Sequence, residues 1–299
     1  MRSLNTGAAA QRHDDIGMNQ PLLKRVVLCA DDYALNAPVS EGIVNLARAQ
    51  RLSATSVMVL SPRWQRDAPA LRELRGAIDV GLHLDWTSEF AQQAGHGRGL
   101  GAVMWQSLRG GLQPEAVRDA IERQLDAFEH HWLAPPDHVD GHQHVQQFAG
   151  VREVLLDVMQ QRYGALAQRP WLRVSKVAQS DFKSRIISWM GSSSLLHWAQ
   201  QQRWPVASPL SGAYAFDGDV PDYAARMQGW MKNLPVTSGT DALPIIMCHP
   251  ALHPQADDAI GAARAREYQY FTSPDFGLHL KHFGVQLSRG QHLSPTANA

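Results

Sequence analysis

The sequence predicts an α/β protein in which mostly parallel strands are wrapped by helices in one large domain. Short, continuously apolar runs recur along the chain, as strands buried on both faces require. Helical stretches with turn or cap signals alternate with them, the pattern of a parallel sheet covered by helices. Size adds a third observation: 299 residues and 33.1 kDa suit a (β/α) barrel, although a doubly wound sheet shares the alternation. Both architectures bind ligands at the C-terminal ends of the strands. Function is therefore sought at strand ends.

The elements follow in order. Arg25 to Ala30 (RVVLCA) reads as the first strand and runs into Asp31-Asp32. After Pro38 a helix extends to about Gln50, with Val39, Ile43, Leu46 and Ala47 on one face. Ala54 to Leu60 is the second strand, Arg63 to Arg75 the second helix, and Ala77 to Leu84 the third strand. A glycine-rich loop from about Gly95 to Gly111 precedes a helix from Pro114 to about Trp132. Asp137 to Val145, Trp171 to Val174 and Leu243 to Cys248 read as later strands. Residues 1–20 are polar and aperiodic with no apolar h-region, which reads as a disordered extension rather than a signal peptide, with Met18 as an alternative start. Residues 21–288 form the barrel domain, and 289–299 read as a loose tail.

Composition excludes several classes. A hydrophobic content of 44% with 19% charged residues is globular rather than disordered. Lys+Arg 28 against Asp+Glu 28 leaves no basic excess to displace counterions from nucleic acid. No apolar run reaches the roughly 18 residues of a membrane span. Cys29 and Cys248 are too few for a disulfide scaffold and read as reduced, buried thiols. The expectation is a soluble, cytoplasmic protein.

Four strand ends carry chemically useful residues: Asp31-Asp32, then His83 in Gly81-Leu-His83-Leu, then His138-Val-Asp140-Gly-His142-Gln-His144, and finally Met247-Cys248-His249-Pro250. At strand period two, His138, Asp140, His142 and His144 share one face. Burying three imidazoles and a carboxylate costs several kcal/mol unless hydrogen bonds or a cation compensate. Such donors suit a borderline divalent metal, whereas the bland alternative is a solvated, His-rich loop. Asp-Asp after a strand is often only a helix cap. Two adjacent carboxylates on a buried rim, however, repel unless a cation or arginine lies near. His83 alone reads as packing, and His249 alone is ambiguous. Gly277-Leu-His279-Leu repeats the third-strand motif but follows a helix start at Ser273-Pro274-Asp275, so His279 belongs on a surface helix with no role. His13-Asp14-Asp15 lies in the extension and is set aside.

Taken in order, Cys29-Ala-Asp31-Asp32-Tyr33-Ala34-Leu35-Asn36, the strand after Leu52, and the three histidine motifs resemble the YdjC-like carbohydrate deacetylases. That family includes chitooligosaccharide and hopanoid-associated deacetylases. The likeness covers about Arg25 to Ser288. It implies a distorted (β/α) barrel, with its site at the C-terminal strand ends, that hydrolyses the N-acetyl group of an amino sugar with one divalent metal. By the same resemblance Asp32, His83 and His142 are metal ligands, Asp31 the catalytic base and His249 the general acid. Arg173, at the end of a candidate strand, is the expected partner that keeps Asp31 ionised. Asp140 and His144 are expected to orient the ligands, with His144 the rival to His142 for coordination. The family is associated with Mg, while two imidazoles and a carboxylate suit Zn, Mn, Co or Ni better. Tyr33, Trp86 and Tyr214 are candidates to stack on sugar faces, against the alternative of ordinary core aromatics.

The sequence also departs from the family. Tyr33-Ala34 replaces Phe-Gly, so the turn after Asp32 should be one that alanine tolerates. Ala251 follows Pro250 where glycine is common. Two other functions compete: another barrel metallohydrolase (an amidohydrolase or phosphoesterase), and a sugar-binding protein that has lost its chemistry. Amidohydrolases generally carry His-x-His on the first strand, whereas here Asp-Asp comes first. The expected partner is a small acetylated amino sugar, and an exposed barrel face leaves room for a homodimer.

Overall fold

The computed structural model describes residues 23–176, 191–236 and 243–292. The expected extension (1–20) and the last seven residues of the expected tail lie outside them. Strand β1 (Lys24–Tyr33) opens the fold, and β2 (Ala54–Val57), β3 (Asp79–Leu84), β4 (His138–Gly141), β5 (Trp171–Arg173), β6 (Val206–Ser211) and β7 (Leu243–Cys248) follow. Each of these seven pairs in parallel with the next, and β7 and β2 both flank β1. The sheet therefore closes into a seven-stranded barrel. A further strand, β8 (Val285–Leu287), pairs with Lys24–Val26 outside the ring.

Helices cover the barrel because their apolar stripes match its outer face. In α1 (Ala37–Arg48) the Asn36 side chain accepts from the Val39 N–H at the N-terminus, and Val39, Ile43, Leu46 and Ala47 are buried. Helix α2 (Trp64–Arg72) and the short α3 (Glu89–Gln93) follow β2 and β3. Helix α5 (Pro114–Trp132) starts on proline, buries Val117, Ile121, Leu125, Phe128 and Trp132 at helical spacing, and stops at Leu133, whose φ of 61° is left-handed. Helices α6 (Val151–Tyr163), α7 (Ser192–Gln201), α8 (Val220–Lys232), α9 (Gly261–Thr272) and α10 (Pro274–His282) complete the coat. None of the described helices is long and apolar enough to cross a membrane. His279 does lie on α10, where its Nδ1 meets the Tyr270 hydroxyl at 3.0 Å.

Alternation along the strands divides the core in two. Val27, Cys29, Ala54, Trp171, Ala207, Leu243 and Ile245 fill the barrel interior. The much larger cluster between strands and helices includes Val26, Leu28, Leu82, Val139 and Leu172, which neighbour the inward residues in sequence.

Several expectations need correction. The glycine-rich segment is not all loop: α4 (Leu100–Leu108) forms inside it, anchored by buried Val103 and Ser107, with its glycines at either end. The fourth strand stops at Gly141, and His142–Gln147 form a 3-10 turn with Gln143 and His144 left-handed. The four-residue period-two face therefore fails after Asp140. Strands β6 and β8 carried no usable pattern, since β6 (VASPLS) contains proline and two serines and β8 has three residues. The chain also stays structured past residue 288: Arg289 Nε donates to Asp79 Oδ1 at 2.7 Å and the Gln291 N–H to Asp79 Oδ2 at 3.1 Å.

Candidate functional site

In a regular strand Asp31 and Asp32 would point to opposite faces. They do not, because β1 bulges there. Ala30 pairs with Thr55 and Tyr33 with Val57, so one extra residue is accommodated. Asp32 takes up the kink with a φ of 69°, and both carboxylates serve the same rim. His83, two residues beyond Gly81 on β3, faces that rim from the neighbouring wall. A side chain at Gly81 would meet the His138 ring at 2.4 Å, so glycine there makes room for the inward histidine of β4. The 3-10 turn after β4 then brings in His142.

These turns converge on Asp32. His142 Nδ1 lies 3.0 Å and His83 Nε2 3.3 Å from Asp32 Oδ1. One donor atom from each of the three falls within 4.8 Å of the others, a grouping able to hold a metal ion. The other nitrogen of His83 donates to Asp140 Oδ1 at 2.7 Å, which fixes the ring and leaves Nε2 for the site. Asp140 is itself held by the Ser56 hydroxyl and by Arg173, both at 2.5 Å. Arg173 also grips Asp31 with two hydrogen bonds, at 2.7 and 2.6 Å. Opposite them, His249 Nε2 stands 3.9 Å from Asp31 Oδ2.

Electrostatics follow from these contacts. Burial works against ionisation of Asp31, but the Arg173 guanidinium outweighs it and holds the carboxyl below its usual range. Asp32 is likewise buried and is pulled well below its usual range, chiefly by Arg264 and His142. Burial would lower the His83 pKa, yet Asp140, with Asp31 and Asp32, raises it to about 10. The surrounding carboxylates thus favour positive charge where the three donors meet. His144 is driven the other way, to about 3, by burial and the Arg173 charge.

The positions of the remaining candidates differ. His144 does not join the cluster: its left-handed backbone (φ 63°) turns the ring to the Ser175 hydroxyl, 3.0 Å from Nδ1. Tyr33 has no face for a sugar. It is 1% exposed, and its hydroxyl donates to the Asp67 carbonyl rather than reaching the cleft. Trp86 is equally buried, with its ring edge against His96. Tyr214 is only partly buried, and its hydroxyl is tied to Glu267 Oε1 at 2.7 Å. Ala34 occupies a left-handed conformation, φ 72°, so the turn is the glycine kind after all.

Two contributors were missed. Arg264 donates to Asp32 Oδ2 at 2.6 Å, and Glu267 accepts the His249 backbone N–H at 2.5 Å. A signal for them existed. Both sit on the buried stripe of α9 with Ala263, Tyr270 and Phe271, where charged residues have no ordinary place.

The YdjC-like protein family matches residues 25–282, nearly the whole described barrel. The chain belongs to that family. Among its relatives, the chitooligosaccharide deacetylase of Proteus mirabilis is 27% identical over 52% of this chain and 66% of its own length. The carbohydrate deacetylase of Homo sapiens is 28% identical over 48% of this chain and 47% of its own. The matched stretches thus span only about half to two thirds of those relatives. A solved Enterococcus faecalis structure, described for cellobiose-phosphate cleavage, superposes with a TM-score of 0.69 at 18% identity, covering 91% of this chain and 99% of its own. That likeness concerns the barrel fold of this YdjC-like chain.

Proposed function

We propose that the chain is a metal-dependent N-deacetylase of an acetylated amino sugar. The observation that supports this most is the meeting of Asp32, His83 and His142 beside an arginine-held Asp31. The donor set fits a divalent cation: two imidazoles and a carboxylate favour Zn or Mn on ligand softness, whereas the family resemblance favours Mg. A cation held there supplies polarisation of the acetyl carbonyl and acidification of a water.

The chain's own groups divide the rest of the work. Asp31 is kept ionised by Arg173 and pointed across the rim, so it accepts the proton of the attacking water. Arg173 bonds both Asp31 oxygens, which orients the carboxylate and leaves a second lone pair on each oxygen for the water proton. His249, 3.9 Å away from Asp31 across the rim, donates a proton to the departing amine nitrogen. The buried barrel interior beneath excludes bulk water, so these charges act at lower effective dielectric.

Free-amine release from N,N′-diacetylchitobiose, measured for metal-loaded wild type and Asp31→Asn, tests the reading. Wild type should release amine, and the variant should be slower by about 100- to 10,000-fold. Equal rates would remove Asp31 from the chemistry.

A further inference from the structure

Helix α9 reaches three parts of the rim within one turn. Arg264 Nη2 donates to Asp32 Oδ2 at 2.6 Å while its Nε holds Asp258 at 2.7 Å. The Arg264 carbonyl accepts from the Ala251 N–H at 3.1 Å, just past His249-Pro250. Glu267 follows one turn later, accepting the His249 backbone N–H on Oε2 at 2.5 Å and the Tyr214 hydroxyl on Oε1 at 2.7 Å. Between them, Arg266 Nη2 donates to the Phe216 carbonyl at 2.9 Å. The Phe216 ring stands edge-on to His249, with centroids 5.4 Å apart. Arg264 is 3% and Glu267 0% exposed.

Burying a carboxylate against a backbone N–H and a phenol is expensive for stability alone, since an apolar residue would fill the same stripe at no desolvation cost. We propose that the Arg264–Glu267 turn is a two-sided positioning device, a reading that rests on the deacetylase function above. Arg264 bonds Asp32 Oδ2 and so turns Oδ1, the atom nearest the two histidine nitrogens, toward the place of a cation. Glu267 fixes His249, which lies beyond the last residue of β7, and ties it to the loop carrying Tyr214 and Phe216. One rigid helical turn thereby sets the spacing between the metal-ligand side and the proton-donor side. Neither residue touches substrate in this scheme; both act through others.

Zinc titration of metal-stripped full-length protein, run beside kcat and KM for amine release, separates the two sides. Arg264→Gln should weaken zinc binding about 10- to 100-fold, the usual cost of losing a hydrogen bond that orients a ligand. A purely electrostatic arginine would repel the dication, so unchanged or tighter binding overturns that half. Glu267→Ala should bind zinc as wild type does yet lose about 100-fold in kcat with little change in KM. Glu267→Gln keeps an oxygen for His249 and an amide N–H for Tyr214, and should recover kcat to within about tenfold of wild type. Glu267→Ala protein that loses zinc as well marks the turn as merely structural and overturns the proposal. So does Glu267→Gln as slow as Glu267→Ala. Wild type that binds zinc but releases no amine counts against the deacetylase reading alone, while the zinc arm still decides Arg264.

Discussion

The two ends of the barrel each hold a pair of aspartates, and they treat them differently. At the N-terminal floor Asp79 and Asp137 are closed in by donors: Arg289 and Trp171 Nε1 on Asp79, the Val80 N–H on Asp137, and Gln291 on both. No histidine joins those bonds, and neither floor residue leaves a buried polar atom without a partner among the described residues. At the C-terminal rim Asp31 and Asp32 meet two arginines and three histidines. His249 Nδ1 and Arg264 Nη1 there are buried without partners. The rim also concentrates left-handed backbone at Asp32, Ala34, Gln143 and His144, the kind of local strain that persists where function requires it. Closed hydrogen bonding marks a structural carboxylate pair. Unfinished bonding, strain and histidines set apart the pair proposed to do chemistry.

Removing the principal cation from each end should break the symmetry most clearly. Arg173→Met strands Asp31 and Asp140 in the interior and should cost about 3–5 kcal/mol. Arg289→Met leaves Asp79 its tryptophan and backbone donors, so about 1–3 kcal/mol is expected. Urea unfolding at pH 7 measures both, and equal losses would erase the distinction.

A pH dependence sharpens it next. Burial and the neighbouring Asp79 charge raise the Asp137 pKa from 3.8 to about 6. A raised carboxyl contributes stability that is fully present below about pH 4 and lost as pH climbs through 6. Asp137→Asn should therefore be more stable than wild type at pH 7, by about 3 kcal/mol at most. The advantage should vanish near pH 4. Thermal unfolding across that range checks it, and a constant difference would show that the carboxyl does not titrate there.

The smallest effect concerns strain at the rim. Ala34→Gly relieves about 1–2 kcal/mol of left-handed cost. It also loses a buried methyl, about 0.8 kcal/mol, and gains unfolded-state entropy, about 0.5–1 kcal/mol. Near-neutral stability is expected, where the same change inside a helix would be destabilising. A clear loss in calorimetry would mean that the turn carries no strain.

Much of this was legible beforehand because strand period and apolar runs report burial directly. The Arg25–Ala30 run, the Pro114–Trp132 helix and the Leu243–Cys248 strand owe their visibility to that. The motifs around Asp31, Asp32, His83 and His142 stood out because polar groups at the ends of buried strands need a reason, whereas the choice of ligands and base among them came from the family resemblance. What escaped detection depends on contacts between distant segments. The bulge that turns Asp31 and Asp32 to one rim is a register fact between β1 and β2, invisible in either strand alone. The 3-10 turn after Gly141 broke the alternation because left-handed Gln143 and His144 are not announced by their residue types. Tyr33 and Trp86 proved to be the core aromatics that the sequence offered as the alternative to sugar-stacking residues.

The most direct test of the central claim is metal content and binding stoichiometry in wild type, Asp31→Asn and His142→Ala. Wild type and Asp31→Asn should each hold one divalent ion, and His142→Ala should lose it. Asp31→Asn protein stripped of metal as thoroughly as His142→Ala, or wild type that takes up no divalent ion, would contradict the division of the two aspartates into ligand and base.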